Sequence, residues 1–373
     1  MLKVAIVGCG KIADDHLEQI QRIEGVEVVG VCDREPLMAY QLFERFPIKA
    51  HFDDLDTMLG EAKPDVVHIT TPPQSHFAIA KACIEAGAHV YVEKPFTVYE
   101  HEARELLAFA ESRGRKITAG HDDQFRHSAR VVRDLVKKGY IGGNPIHMES
   151  YFCYEMGKNG FAGALLNDKN YWVRKLPGGL LHNIISHGIA RIAEYITSEN
   201  PTIIAHGFIS PFLRSRGEHE IFDELRVMIS EESGTTAYFA FSSQMRPALH
   251  QFRVYGSKNG LMMDQDQETV IKMPGTRYVS YVEKFVPPVQ LARQGMSNAM
   301  TNVGRFLKRD FHMKSGMKFL IESFYQSITN DSPVPIPYRE IILIAHIMEQ
   351  IFGQLRASAG PEVAVQSFET TLK

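Results

Sequence analysis

Three short stretches of this 373-residue chain carry residue types and spacings that can do chemistry. The first is "VYVEKPF", in which an apolar β-type run ends in Glu93 and Lys94 with Pro95 behind them. A lysine at the end of a buried strand is costly unless it is paired or used. Pro95 restricts Lys94 to extended geometry and so aims its side chain. An ammonium held there can donate to an oxygen, and burial beside a positive group lowers its pKa towards the range where it shares a proton. The second stretch is "PGGLLHNIISH", with Asn183 and His187 four residues apart, on one face if the segment is helical. An imidazole suits a general base near neutral pH. An amide can hold a hydroxyl or orient the ring, but it does not raise the ring's pKa as a carboxylate would. His182 is a further polar neighbour on a different helical face.

The third stretch is "GCGKIA", a GxGxxA pattern of Gly8, Gly10 and Ala13 with Lys11 and Ile12 between them. It follows a short apolar strand and opens a helix, the context in which backbone N–H groups cradle a pyrophosphate. Asp33 ends the next strand about twenty residues on, where a carboxylate accepts both ribose hydroxyls and repels a 2′-phosphate. NAD is therefore expected over NADP, although Arg34 can stack on adenine or neutralise a phosphate and keeps NADP open. "GHDDQF" crowds His121, Asp122 and Asp123, but no metal is expected.

The elements that must position these residues follow from the pattern. Residues 1–124 alternate near-continuous apolar strands with amphipathic helices, the signature of a doubly wound parallel sheet. From residue 125 to 373 the strands lengthen and alternate polar with apolar residues. This predicts an α+β domain with a large, mostly antiparallel open sheet for substrate binding and oligomerisation. The basic, apolar-rich segment at 285–316 fits a helix packed on that sheet or on another subunit, with a membrane surface as a remote third option. Charged residues at 23%, a hydrophobic share of 44% and a formal charge of −3 describe a globular chain and argue against nucleic-acid binding. Four scattered cysteines without metal spacing fit a reducing, cytoplasmic compartment. The apolar N-terminus runs into glycines and reads as a strand, and no run reaches membrane-spanning length.

With Lys94 and the glycine turn in place, the chain resembles the glucose–fructose oxidoreductase and inositol dehydrogenase (Gfo/Idh/MocA) family. The likeness covers most of the first 150 residues: "TTPPQSH", "AKACIEAGAHVYVEKP" and "LVKKGYIGGNPIHMES". "PGGLLHNIISH" keeps Gly178, Gly179 and His187 of the family's GGxxxDxGxH, with Asn183 in place of Asp and Ile185 in place of Gly. The resemblance implies a Rossmann domain and nicotinamide-dependent oxidation or reduction at a carbinol carbon of a sugar, polyol or nucleotide-linked sugar. It implies catalytic roles for Lys94, His187 and Asn183, and cofactor contacts from Thr71, Pro72, His76, Glu93, Lys94 and Gln124 beside the glycine turn and Asp33.

Recognition is expected from Trp172, which can stack on a sugar, and from Arg174 and Lys175, which can bind an anion. Tyr151, and less strongly Tyr154, are further candidates. These charges favour a nucleotide-linked or acidic sugar over inositol or another polyol. Two alternatives remain: a non-catalytic dinucleotide-binding regulator, and a reductase of an imine or enone. A homodimer or homotetramer through the C-terminal sheet is expected.

Overall fold

In a computed structural model the described residues are 1–157 and 160–358. The first part of the chain runs β1 (Leu2–Val7), α1 (Lys11–Ile20), β2 (Val26–Cys32), α2 (Pro36–Arg45), β3 (His51–Phe52) and α3 (Leu55–Ala62). It continues with β4 (Val66–Ile69), α4 (His76–Glu85), β5 (His89–Val92), α5 (Glu100–Ser112) and β6 (Ile117–Ala119). Next come α6 (His127–Lys137), β7 (His147–Cys153), α7 (Gly160–Asn167), α8 (Gly179–Ile184) and α9 (Ser186–Ala193). Then follow β8 (Thr202–Phe208), α10 (Pro211–Ser215), β9 (Glu224–Ser230), β10 (Thr236–Ser242), β11 (Leu249–Tyr255), β12 (Asn259–Asp264) and β13 (Thr269–Pro274). The last helices are α11 (Val282–Leu307), α12 (Ser315–Thr329) and α13 (Tyr338–Ser358). No helix among the described residues is long and apolar enough to cross a membrane.

Two compact units result, residues 1–122 with 316–345 and residues 123–315 with the C-terminal part from 346. In the first, six parallel strands lie in the order β3-β2-β1-β4-β5-β6. Val4, Ala5 and Ile6 of β1 and Val66, Val67 and Ile69 of β4 have no exposed surface, as continuous apolar strands covered on both faces require. The strand order reverses between β1 and β4, so their carboxyl ends open the crevice where open α/β sheets bind ligands.

The sequence reading assigns everything after residue 124 to the second domain, but residues 316–345 pack with the first sheet. Lys116 anchors them, its Nζ donating to Ser327 O (2.6 Å) and Ser332 O (2.8 Å) beside the Asp331 carboxylate (3.0 Å). Tyr338 Oη accepts from the Ile117 N–H, and Phe324 lies edge-on to Tyr91. An amphipathic helix carries no mark of which sheet it will cover, so this return was invisible in the pattern.

The second unit holds a seven-stranded sheet in the order β13-β12-β11-β7-β10-β9-β8, antiparallel except for the β7–β10 pair. α9 lies on β7, where Ser150 Oγ donates to Gly188 O (2.9 Å). β12 and β13 were not expected, because the polar turn between them ("DQDQE") interrupts an already short alternation. At the start of α8, a Cβ on Gly178 would stand 2.3 Å from Phe352 Cε1, and Gly179 takes φ +51°. The double glycine thus lets this turn press against an aromatic ring of α13. Gly178→Ala should lower unfolding stability by about 1–3 kcal/mol through overpacking. Chemical denaturation checks this, and an unchanged midpoint would place the ring elsewhere.

Candidate active site

β1 runs straight into the glycine turn. Gly8 takes φ +95°, and a Cβ there would lie 2.7 Å from Thr71 Cγ2 and 2.8 Å from Thr71 N, so only glycine brings this turn against the end of β4. Thr70 Oγ1 ties the two strand ends by donating to Gly8 O (2.5 Å) and Val7 O (3.1 Å). Gly10 is the N-cap of α1, where no side chain caps the first N–H groups. A Cβ at Gly10 would meet no protein atom within 4 Å, so the space over this helix N-terminus is open to a pyrophosphate. Asp33 accepts from the Cys9 N–H (2.7 Å) through one oxygen and from the Glu35 N–H (3.0 Å) through the other. The carboxylate expected to hold the ribose and the turn expected to hold the phosphates are therefore one hydrogen-bonded piece. Lys11 and Arg34 are exposed beside them and Ile12 is half-buried.

Glu93 follows β5 and is 6% exposed. It is expected either to face the nicotinamide ribose or to pair within the protein, and its Oε1 accepts from His16 Nε2 on α1 (2.9 Å). Gly120, beyond β6, leaves the necessary room: a Cβ there would stand 2.8 Å from Glu93 Oε1. Behind His16 the chain of contacts continues. His16 Nδ1 meets His68 Nδ1 (2.8 Å), and His68 Nε2 meets Tyr325 Oη (2.7 Å). His68 also stacks on Tyr91 at 4.7 Å. Burial, with the neighbouring His16, holds His68 well below the ordinary imidazole range, so it is neutral. One arrangement then satisfies every atom with a single charge. Tyr325 donates to His68, His68 to His16, and His16 to the Glu93 carboxylate. Burial would raise the Glu93 carboxyl, but the His16 hydrogen bond, with the charge and backbone N–H of Lys94 beside it, outweighs burial and holds it at about 2.

This buried anion sits directly behind Lys94. The Lys94 N–H donates to Glu93 Oε2 (3.1 Å), the Lys94–Pro95 peptide is cis, and the lysine side chain is half-buried. His76 is fully buried between the carbonyls of Thr71 (2.8 Å), Pro95 (3.0 Å) and Phe96 (3.2 Å). It was expected to touch cofactor, but it instead clamps the loops after β4 and β5 together. Thr71 is half-buried and Pro72 exposed on the first of these loops.

In the second unit α8 and α9 meet at Ile185, whose backbone stays helical (φ −71°, ψ −16°). Half-buried Asn183 and His187 therefore remain one turn apart. His182 is buried and stacks on Phe352 at 4.7 Å, a core role. His187 stacks on Phe152 at 5.5 Å, and its Nδ1 lies 3.3 Å from Asp123 Oδ2. The carboxylate missing at position 183 thus reaches the histidine from another element. Burial would raise Asp123, but His187, Arg191, Arg126 and His250 hold it below the usual carboxylate range. Asp123 was not singled out for this role; the only signal was the crowding of His121, Asp122 and Asp123 in "GHDDQF". Gln124, expected at the cofactor, is buried and donates to Ala190 O (3.1 Å).

The recognition residues separate. Arg174 donates to Leu165 O (2.8 Å) and to Glu218 Oε2 (2.5 Å), with Glu220 3.8 Å away, so its charge is answered within the protein. Lys175 is exposed, and Trp172 is half-buried against Tyr171. Tyr151 sits with Glu149 (3.3 Å) and Tyr238, on the sheet face opposite the Ser150 hydroxyl that meets α9. It does not share the histidine's side of the sheet. Tyr154 does: its ring lies 6.0 Å from Phe152, and burial pushes its phenol up to about 12.

A parallel six-stranded dinucleotide fold joined to a seven-stranded open sheet, with a Glu-Lys-Pro corner and a helix-borne histidine, defines the class. Residues 2–121 match the model of the oxidoreductase family with NAD-binding Rossmann fold, and residues 129–262 match the Gfo/Idh/MocA C-terminal domain. The chain belongs to the Gfo/Idh/MocA family. D-glucoside 3-dehydrogenase of Escherichia coli is 32% identical over 142 residues, 38% of this chain and 40% of that protein. The chain spans about half the length or less of the curated relatives it matches first. UDP-N-acetylglucosamine 3-dehydrogenase from Acidithiobacillus ferrooxidans shares the fold with a TM-score of 0.73 at 18% identity, over 96% of this chain and 99% of that one. The WlbA dehydrogenase from Bordetella pertussis, solved with NADH and UDP-GlcNAcA, gives 0.76 at 15%, over 96% of both chains.

Two outcomes follow from this geometry. His16→Ala removes the donor from a buried carboxylate and should cost about 3 kcal/mol or more. Because Glu93 is depressed to about 2, the stability it contributes is present above its unfolded value and is lost as pH falls towards 2. In His16→Ala that loss should move to higher pH, which urea titrations from pH 7 to pH 3 will show. Asp33→Ala should weaken NAD binding and narrow the preference over NADP. Equal affinity of the native protein for both cofactors would transfer the role to Arg34.

Proposed function

We propose that the protein is an NAD-dependent dehydrogenase acting on a secondary carbinol of a sugar. The observation that carries this is Lys94, set on the carboxyl edge of the same sheet as the glycine turn and backed by a buried, ionised Glu93. NAD at that turn supplies the hydride acceptor. Lys94 donates to the hydroxyl oxygen and holds its charge as the proton leaves. His187 takes that proton, and Asp123 stabilises the resulting imidazolium. Asn183 holds a neighbouring hydroxyl. Reduction runs through the same groups in reverse.

The Arg174–Glu218 pair bears on the substrate. An anionic sugar was expected largely because two cations precede the double glycine, and one of them is compensated. The best-supported substrate is therefore an uncharged sugar or glycoside, the class named for the E. coli glucoside dehydrogenase relative. A nucleotide-linked sugar is the second reading, favoured by exposed Lys175 and by the names of the solved neighbours. A non-catalytic regulator was favoured by the missing charge at Asn183, and Asp123 supplies that charge. Four buried free cysteines suit a cytoplasmic setting.

A panel of glycosides, polyols and nucleotide-sugars, read by absorbance of the reduced nicotinamide, tests the reading. No turnover with any of them would overturn it. Lys94→Met and His187→Ala should each lower kcat on the order of 10²-fold or more with NAD affinity retained. Asp123→Asn should lower kcat and move the rise of rate with pH to lower pH, because the anion that favours a protonated imidazole is gone. A pH profile unmoved by Asp123→Asn would separate the pair.

A further inference from the structure

α11 is built inside out. Its inward face is a row of amides bonded to the edge strand β13. Gln294 accepts from the Lys272 N–H (2.7 Å) and donates to Lys272 O (3.1 Å). Asn298 does the same at Val270 (3.2 and 3.0 Å), and Asn302 donates to Gln267 O (2.9 Å). These side chains satisfy the unpaired backbone groups of a sheet edge, which is what protects that edge from other strands. The apolar residues are left on the opposite side. Phe285 is 69% exposed, Val289 53%, Met296 67%, Val303 51% and Phe306 67%. Ala292 and Ala299 lie exposed between them.

The spacing of this outer stripe alternates four and three residues from 285 to 306. That is the heptad seam of one helix packed along another, and it is not the wider stripe that faces a globular core. The stripe is symmetric about its middle: large residues stand at both ends and the two alanines near the centre. A copy of the same helix, antiparallel across a two-fold axis near Met296, sets the Phe285 end of one against the Phe306 end of the other and opposes the dipoles. A helix of 26 residues is about 39 Å long. Two such stripes in contact bury on the order of 1,000 Å² in total, the threshold for a specific interface. A membrane-surface helix would carry a basic solvent face. Here the polar face is occupied by the sheet edge, Arg305 is buried, and Lys284 and Arg293 are the remaining cations of α11.

We propose that the outer stripe of α11 is a self-association surface whose occupant is α11 of a second copy of this chain. This is independent of the catalytic reading and places the contact on a helix, where the open sheet face was expected. The full-length chain should sediment as a dimer or a multiple of one. Val289→Glu/Met296→Glu should weaken association on the order of 100-fold or more while helicity and the unfolding transition of the single chain persist. Met228→Glu, which loads the open sheet face at a residue 59% exposed, should leave this contact intact. The four native cysteines are buried, so Met296→Cys introduces an accessible thiol and should cross-link to its own copy on mild oxidation. The proposal is overturned by a monomeric native chain at tens of micromolar. It is also overturned by an assembly that only Met228→Glu disrupts, by a Met296→Cys chain that fails to cross-link, or by binding to anionic phospholipid vesicles that the double glutamate abolishes.

Discussion

A carboxylate almost sealed from water must have its charge answered by the protein, and Glu93 is answered twice. His16 donates to one oxygen and the Lys94 backbone N–H to the other. Isolated ions in such surroundings neutralise themselves, but this one is held ionised because its donors are fixed by the fold. The consequence reaches the glycine turn. His16 lies on α1, the helix whose N-terminus is Gly10, so the helix that would carry pyrophosphate is pinned to the strand that carries Lys94. Cofactor cradle and proposed oxygen-holding lysine are thus parts of one hydrogen-bonded frame, closed behind by His68 and Tyr325.

The second unit repeats the strategy with a different pair. His187 stands on one short helix and meets a carboxylate from a separate segment. A histidine whose anion comes from Asp123 keeps the electrostatics that an aspartate at position 183 would have supplied. Asn183 is then free to differ, because the charge does not have to come from it. In both units the residue closest to the proposed chemistry stands against a carboxylate: Lys94 against Glu93, its neighbour in sequence, and His187 against half-buried Asp123 from a separate segment.

What was legible in the sequence had its cause in neighbouring residues. Gly8, Gly10 and Asp33 announce themselves because the turn, the helix start and the strand end are local requirements. Glu93, Lys94 and Pro95 stand out because charge at the end of an apolar strand needs a reason. The apolar run in "DVVHITT" showed a strand but not that His68 inside it would need partners, although a buried polar group does. His16 and Glu93 are 77 positions apart and His68 and Tyr325 257 apart, and no periodicity encodes such pairings. The sequence assignment of residues 316–345 to the second domain failed for the same reason. Arg174 misled because the sequence shows its charge but not Glu218, the partner that compensates it.

The state of Glu93 is the most direct measure of this frame. Isotope-edited infrared spectroscopy, with Glu93→Gln to assign the band, follows its ionisation as pH is lowered in the folded protein. The expected result is a carboxylate band that persists at pH 4 and is lost only as pH approaches 2. A protonated Glu93 at pH 5 would contradict the frame, because the carboxyl behind Lys94 would then be neutral and His16 would not be holding an anion.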